Sequence, residues 1–110
     1  MGEILQAIFI EGYIDYLGDG HYYYTSVYFN NNSVNRISVY ASEEDNPNNH
    51  DAFYEWCKKQ YDNPDDFEEY SRTGVTFFTG TKYSWYKDDV DVYLDLGDTT
   101  NDASLSIEQK

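Results

Sequence analysis

Residues Asp89–Leu96 alternate without a break: Val90, Val92, Leu94 and Leu96 on one parity, Asp89, Asp91, Tyr93 and Asp95 on the other. A period of two is the signature of a β-strand with one face in a core and one in solvent. A strand of that kind requires a sheet whose apolar side is covered, so the rest of the chain must supply both neighbouring strands and a cover.

Other segments supply them. Ile4 to Tyr16 is rich in β-branched and aromatic residues and reads as a first strand, closed by a turn at Leu17-Gly18-Asp19-Gly20-His21, where Asp-Gly favours positive φ. Tyr22 to Phe29 reads as a second strand, Asn30 to Asn32 as a turn of residues that tolerate left-handed backbone, and Ser33 to Ala41 as a third strand. Three strands with such short links form an antiparallel meander. After the polar loop Ser42 to Asn49 the period changes. Phe53, Trp56, Cys57 and Tyr61 fall on one face of a helix, with Asn49 as expected N-cap, Asp51 in the first turn and Lys58 and Lys59 near the end. Asn63-Pro64-Asp65-Asp66 carries the start signal of a second, short helix, ended at Gly74. Val75 to Thr79 and Lys82 to Lys87 read as strands joined by a turn at Thr79-Gly80-Thr81. Asp98 to Lys110 is polar and reads as a flexible tail. The expectation is one α+β domain over residues 1–98, with a mostly antiparallel sheet of five to six strands, one main helix and a short second helix between the third and fourth strands, and a tail over 99–110.

Charge narrows the function. The chain carries 21 Asp and Glu against 7 Lys and Arg, a formal net charge of -14 over 110 residues. Leu, Ile, Val and Phe are scarce for such a charge, but 13 Tyr and 2 Trp restore core-forming area, each aromatic burying roughly 150–250 Å². Direct binding to nucleic acid needs clustered cations to displace counterions, and binding to an anionic membrane needs them too. Both are disfavoured. The lone cysteine, Cys57, excludes an internal disulfide and fits a reducing, cytoplasmic setting. The N-terminus has no basic region of the kind that begins a signal peptide.

Chemistry-bearing patterns are weak. An EF-hand loop begun at Asp15 places Leu17 where an oxygen ligand is required and Ser26 where a bidentate Glu is required. His21, His50 and Cys57 lack the close spacing of a zinc site. Cys57 lies on the apolar helix face, which favours a buried thiol over a nucleophile, and no nucleophile elbow, P-loop or dinucleotide fingerprint occurs. The reading is a non-enzymatic protein without cofactor or metal.

The acids form the most informative pattern. Carboxylates at i and i+2 of a strand stand about 6.8 Å apart, about two phosphate steps of roughly 3.4 Å. Asp89, Asp91 and Asp95 make such a row, with Tyr93 among them. Glu43, Glu44 and Asp45 precede the helix, and Asp62, Asp65, Asp66, Glu68 and Glu69 follow it. Tyr exposed among acids suits a protein interface. The expected partner is a basic protein, a nuclease or other nucleic-acid-binding enzyme, whose groove this surface occupies by imitating a phosphate backbone. In acidity, size and aromatic content the chain resembles the DNA-mimic inhibitors that phages and mobile elements direct against restriction or CRISPR systems. Two alternatives are an immunity protein or antitoxin against a basic toxin and, from another class, a calcium- or carbohydrate-binding module.

Overall fold

The computed structural model describes residues 8–73 and 78–110, with the backbone alone at 8 and 9. Its strands are β1 (Ile8–Ile14), β2 (Tyr23–Asn30), β3 (Ser33–Ala41), β4 (Asp66–Arg72), β5 (Phe78–Tyr86), β6 (Val90–Gly97) and β7 (Asp102–Gln109), and its helix α1 (Asn49–Tyr61) lies between β3 and β4 in the chain. They form one seven-stranded sheet in the order β1-β2-β3-β7-β6-β5-β4. Every pairing is antiparallel. The α+β expectation holds at that level: a mostly antiparallel sheet with one helix.

Local chemistry accounts for most of the elements. Asn31 and Asn32 take left-handed φ of 51° and 66° and turn β2 into β3, as the asparagine cluster predicts. Between β1 and β2, Gly18 and Gly20 have positive φ, and the Asp15 carboxylate accepts the Asp19 and Gly20 amides. Helix α1 carries Asp51 in its first turn and Lys58 and Lys59 in its last, each favourable to the dipole by a few tenths of a kcal/mol to about 1 kcal/mol.

The helix lies over β6 and β7 and buries Phe53 and Cys57. The core beneath it comes from alternate strand residues. One cross-strand row runs Thr25, Val39, Leu105, Leu94, Tyr83; a second runs Val27, Ile37, Ile107, Val92, Trp85. Phe53 packs edge-on against Tyr23 at 4.9 Å, and Tyr54 meets Tyr83 at 4.8 Å. Fully burying one such side chain stabilises by about 1.5–3 kcal/mol. Ala41 and Ala103, opposite each other in register and fully buried, keep this part of the covered face low.

Four expectations need correction. The second short helix is strand β4. Pairing with β5 from Asp66↔Ser84 to Arg72↔Phe78 outweighs the capping signal, and of the acids expected in a first helical turn Asp65 precedes the strand and Asp66 begins it. The sheet has seven strands, not five or six, because residues 102–109, expected as a flexible tail, form β7 between β3 and β6. Ala103 and Leu105 are buried there and Ile107 packs against the core. Thr79-Gly80-Thr81 lies inside β5 and is not a turn. Gly80 is needed there because a Cβ would collide with the Tyr70 ring and the Leu96 carbonyl. The helix cap is Asn48, without a side-chain capping bond; Asn49 is one residue inside, fully buried, and donates to the Asn46 carbonyl at 2.9 Å and the Asn101 carbonyl at 2.8 Å. The expected strand starts at Ile4 and Val75, and the stop at Gly74, fall outside the described residues.

Candidate anionic interface

With α1 on one side, the other face of the sheet has no covering element among the described residues. Three cross-strand rows define this open face. One runs Glu68, Lys82, Asp95, Ser104, Tyr40, Tyr24, Tyr13 from β4 to β1. The next runs Asp66, Ser84, Tyr93, Ser106, Ser38, Ser26, Glu11. The third runs Tyr86, Asp91, Glu108, Arg36, Tyr28. The middle row is mostly serine, and Ser26 and Ser84 are buried although no helix covers them. Larger residues in the flanking rows shield them. The result is a shallow serine-floored trough, broken by Tyr93 and walled by tyrosines and acids.

Hydrogen bonds fix part of the wall. The Tyr70 hydroxyl donates to Asp95 at 2.6 Å, Tyr40 to Asp102 at 3.2 Å and Tyr24 to Glu11. Burial, then the bond to Asp95, pushes the Tyr70 hydroxyl up to about 12. Burial and then Asp102 raise Tyr40; burial and then Asp91 raise Tyr93. Tyr40, Tyr70, Arg72, Asp95, Asp102 and Ser104 line a cleft of about 320 Å³ at one end of the face. Three cations of the chain already lie over tyrosines here: Arg36 over Tyr28 at 4.3 Å, Arg72 over Tyr70 at 5.0 Å and Lys82 over Tyr93 at 5.0 Å. A cation on an aromatic face with acids beside it is a favourable arrangement, and this face makes it repeatedly.

The acids expected at an interface divide by position. Asp91, Asp95 and Tyr93 share the open face on β6, and Asp66 and Glu68 reach it from β4. Asp91 pairs with Lys110 at 3.4 Å. Asp89 precedes β6, and its carbonyl accepts the Lys110 amide, so the row on that strand is Asp91 and Asp95. Glu69 is on the helix side, opposite Thr81. Glu43 and Glu44 are exposed on the loop before α1, where the Asp45 carboxylate accepts the Ser42 amide at 2.9 Å and its hydroxyl at 3.1 Å. Asp62 follows α1 with φ 68°, and its backbone carbonyl accepts the Trp85 indole N–H at 3.0 Å. Asp65 accepts the Tyr86 amide at 2.6 Å. The carboxylates of Asp45 and Asp65 thus serve the fold.

Asp102, Glu108, Glu11, Tyr24, Tyr40 and Tyr70 join the site only through strand pairing. One signal for the first two was present in the sequence: Ala103, Leu105 and Ile107 alternate with Asp102, Ser104, Ser106 and Glu108, a short strand pattern diluted by serine.

Among the described residues no group of three or more His, Cys, Asp or Glu is arranged to hold a metal ion, and no helix is long and apolar enough to cross a membrane. Cys57 is fully buried, and burial pushes its thiol up to about 12. No known family model, curated protein or solved structure matches this chain.

Proposed function

We propose that the protein is a non-enzymatic inhibitor that lays its open sheet face into the basic nucleic-acid-binding surface of a nuclease or similar enzyme, imitating a phosphate backbone, in the counter-defence of a phage or mobile element. The observation that carries this reading is the open face itself. On β6, Asp91 and Asp95 are four residues apart, about 13.6 Å along the strand or about four phosphate steps. Glu108 stands opposite Asp91 in register, and Asp102 lies beside Asp95 at the cleft. The tyrosines between them offer rigid contact area and ring faces for Arg and Lys. Opposite charge also speeds encounter.

The test is inhibition of a candidate basic nuclease, with DNA as competitor, across a salt series. The reading requires inhibition that weakens with rising salt and with rising DNA. Asp91→Asn, Asp95→Asn, Asp102→Asn and Glu108→Gln combined must weaken it strongly while the far-UV spectrum and a cooperative melting transition are kept. Inhibition indifferent to salt and to those four changes would remove the open face from the mechanism.

A further inference from the structure

The sheet ends in two unlike edges. Strand β4 presents Asp66, Glu68 and Glu69, and charge on an edge is a common device against unwanted pairing. Strand β1, the other edge, has no such protection among the described residues. Ile10 is 58% exposed, Tyr13 66% and Ile14 43%. Its one acid, Glu11, accepts the Tyr24 hydroxyl. Among the described residues no strand pairs with its outer side.

Gly12 in the middle of β1 is a second, independent observation. Glycine inside a strand weakens it and often marks the close approach of another backbone. Nothing among the described residues explains it here: its φ is not positive, and a Cβ built on it meets none of their atoms within 4 Å.

The sequence of β1 is self-complementary about that glycine. In an antiparallel pairing of two copies centred on Gly12, Ile10 faces Ile14 of the partner subunit and Glu11 faces Tyr13 of the partner subunit. No like charges meet, although the chain carries -14. We propose that β1 is a dimerisation edge, through which a second copy of this chain pairs isologously about a two-fold axis at Gly12. Both sheets merge into one, both helices lie on the same side, and the two open faces become continuous. The dimer does not depend on what the open face binds.

Sedimentation of the full chain over a concentration series must show a species of twice 12.9 kDa. Gly12→Lys sets two like charges directly opposite each other, which is unfavourable in a cross-strand pair, and returns the mass to one chain with the fold intact. Gly12→Cys reads the register. Opposed residues have Cα atoms about 4.5–5.5 Å apart, within disulfide reach, so this variant forms a disulfide-linked dimer with oxidised glutathione. Ile10→Cys, about 13 Å from its own copy across the axis, does not. A wild-type protein that stays at one chain mass throughout overturns the proposal. A dimer that survives Gly12→Lys, or cross-links equally through both cysteine variants, overturns the β1 pairing.

Discussion

The Tyr70 hydroxyl reaches from β4 over Gly80 of β5 to donate a 2.6 Å hydrogen bond to Asp95 of β6. One aromatic side chain thereby ties three strands and covers the bare backbone of a glycine. Tyr70→Phe keeps the ring and loses the bond, a loss of about 1 kcal/mol. Gly80→Ala forces a methyl group against Tyr70 and the Leu96 carbonyl and destabilises by about 1–3 kcal/mol. Urea denaturation of both variants checks the order, with Gly80→Ala the weaker protein.

Asn49 links the start of α1 to the turn between β6 and β7. Asn49→Ala removes both side-chain bonds while the Asn46 carbonyl keeps the Asn49 amide at 3.1 Å, a loss of two hydrogen bonds that costs about 1–3 kcal/mol. The melting temperature of Asn49→Ala is expected to fall by several degrees. Asp51→Asn, an exposed change in the same helix, is expected to shift it far less.

High pH is expected to destabilise the protein in a defined window. The folded values for Cys57, Tyr61 and Tyr70 lie near 12, against 9.0 for a free thiol and 10.0 for a free phenol. Tyr23 is raised as well, by burial first and then by its bond to Asp19. The unfolded chain therefore releases these protons first, and the stability they confer is present below pH 9 and is lost as pH climbs from 9 towards 12. Tyrosinate absorbance must rise together with loss of far-UV structure. In the same vein, Cys57 must stay inert to thiol reagents at neutral pH until denaturant is added.

Acids outside the open face give the control for the interface. Glu43→Gln and Glu44→Gln lie on the loop before α1, and Glu69→Gln on the helix side of β4. Each removes one negative charge, as Asp95→Asn does. Inhibition of a basic nuclease is expected to change little in the three, apart from a modest loss of long-range steering in the association rate, and markedly in Asp95→Asn.

Much of the fold is legible in the sequence wherever a single period dominates. Strand β6 reads from its strict alternation, α1 from the spacing of Phe53, Cys57 and Tyr61, and the β2–β3 turn from its asparagines. The misreadings share a cause: local signals that tertiary pairing overrides. Asn63-Pro64-Asp65 is good helix-start chemistry, yet the chain there must supply the outer strand for β5. Gly80 resembles a turn residue, and its actual reason is a ring from a neighbouring strand. The candidate site was legible along β6, at Asp91, Tyr93 and Asp95. Tyr40, Tyr70, Asp102 and Glu108 were not, since a cross-strand neighbour depends on strand order and register, which β7 sets by entering between β3 and β6.

That insertion has a kinetic consequence. The β1–β3 and β4–β6 meanders each form from near neighbours, but they share no strand pair until residues 102–109 enter between them. Closing contacts so distant along the chain is slow. On the ribosome both halves must wait, with Val39 and Leu94 lacking the strand that finally separates them, until β7 has emerged. A nascent chain stalled before residue 102 is therefore expected to be a chaperone client, and a released full chain to fold in one late cooperative step.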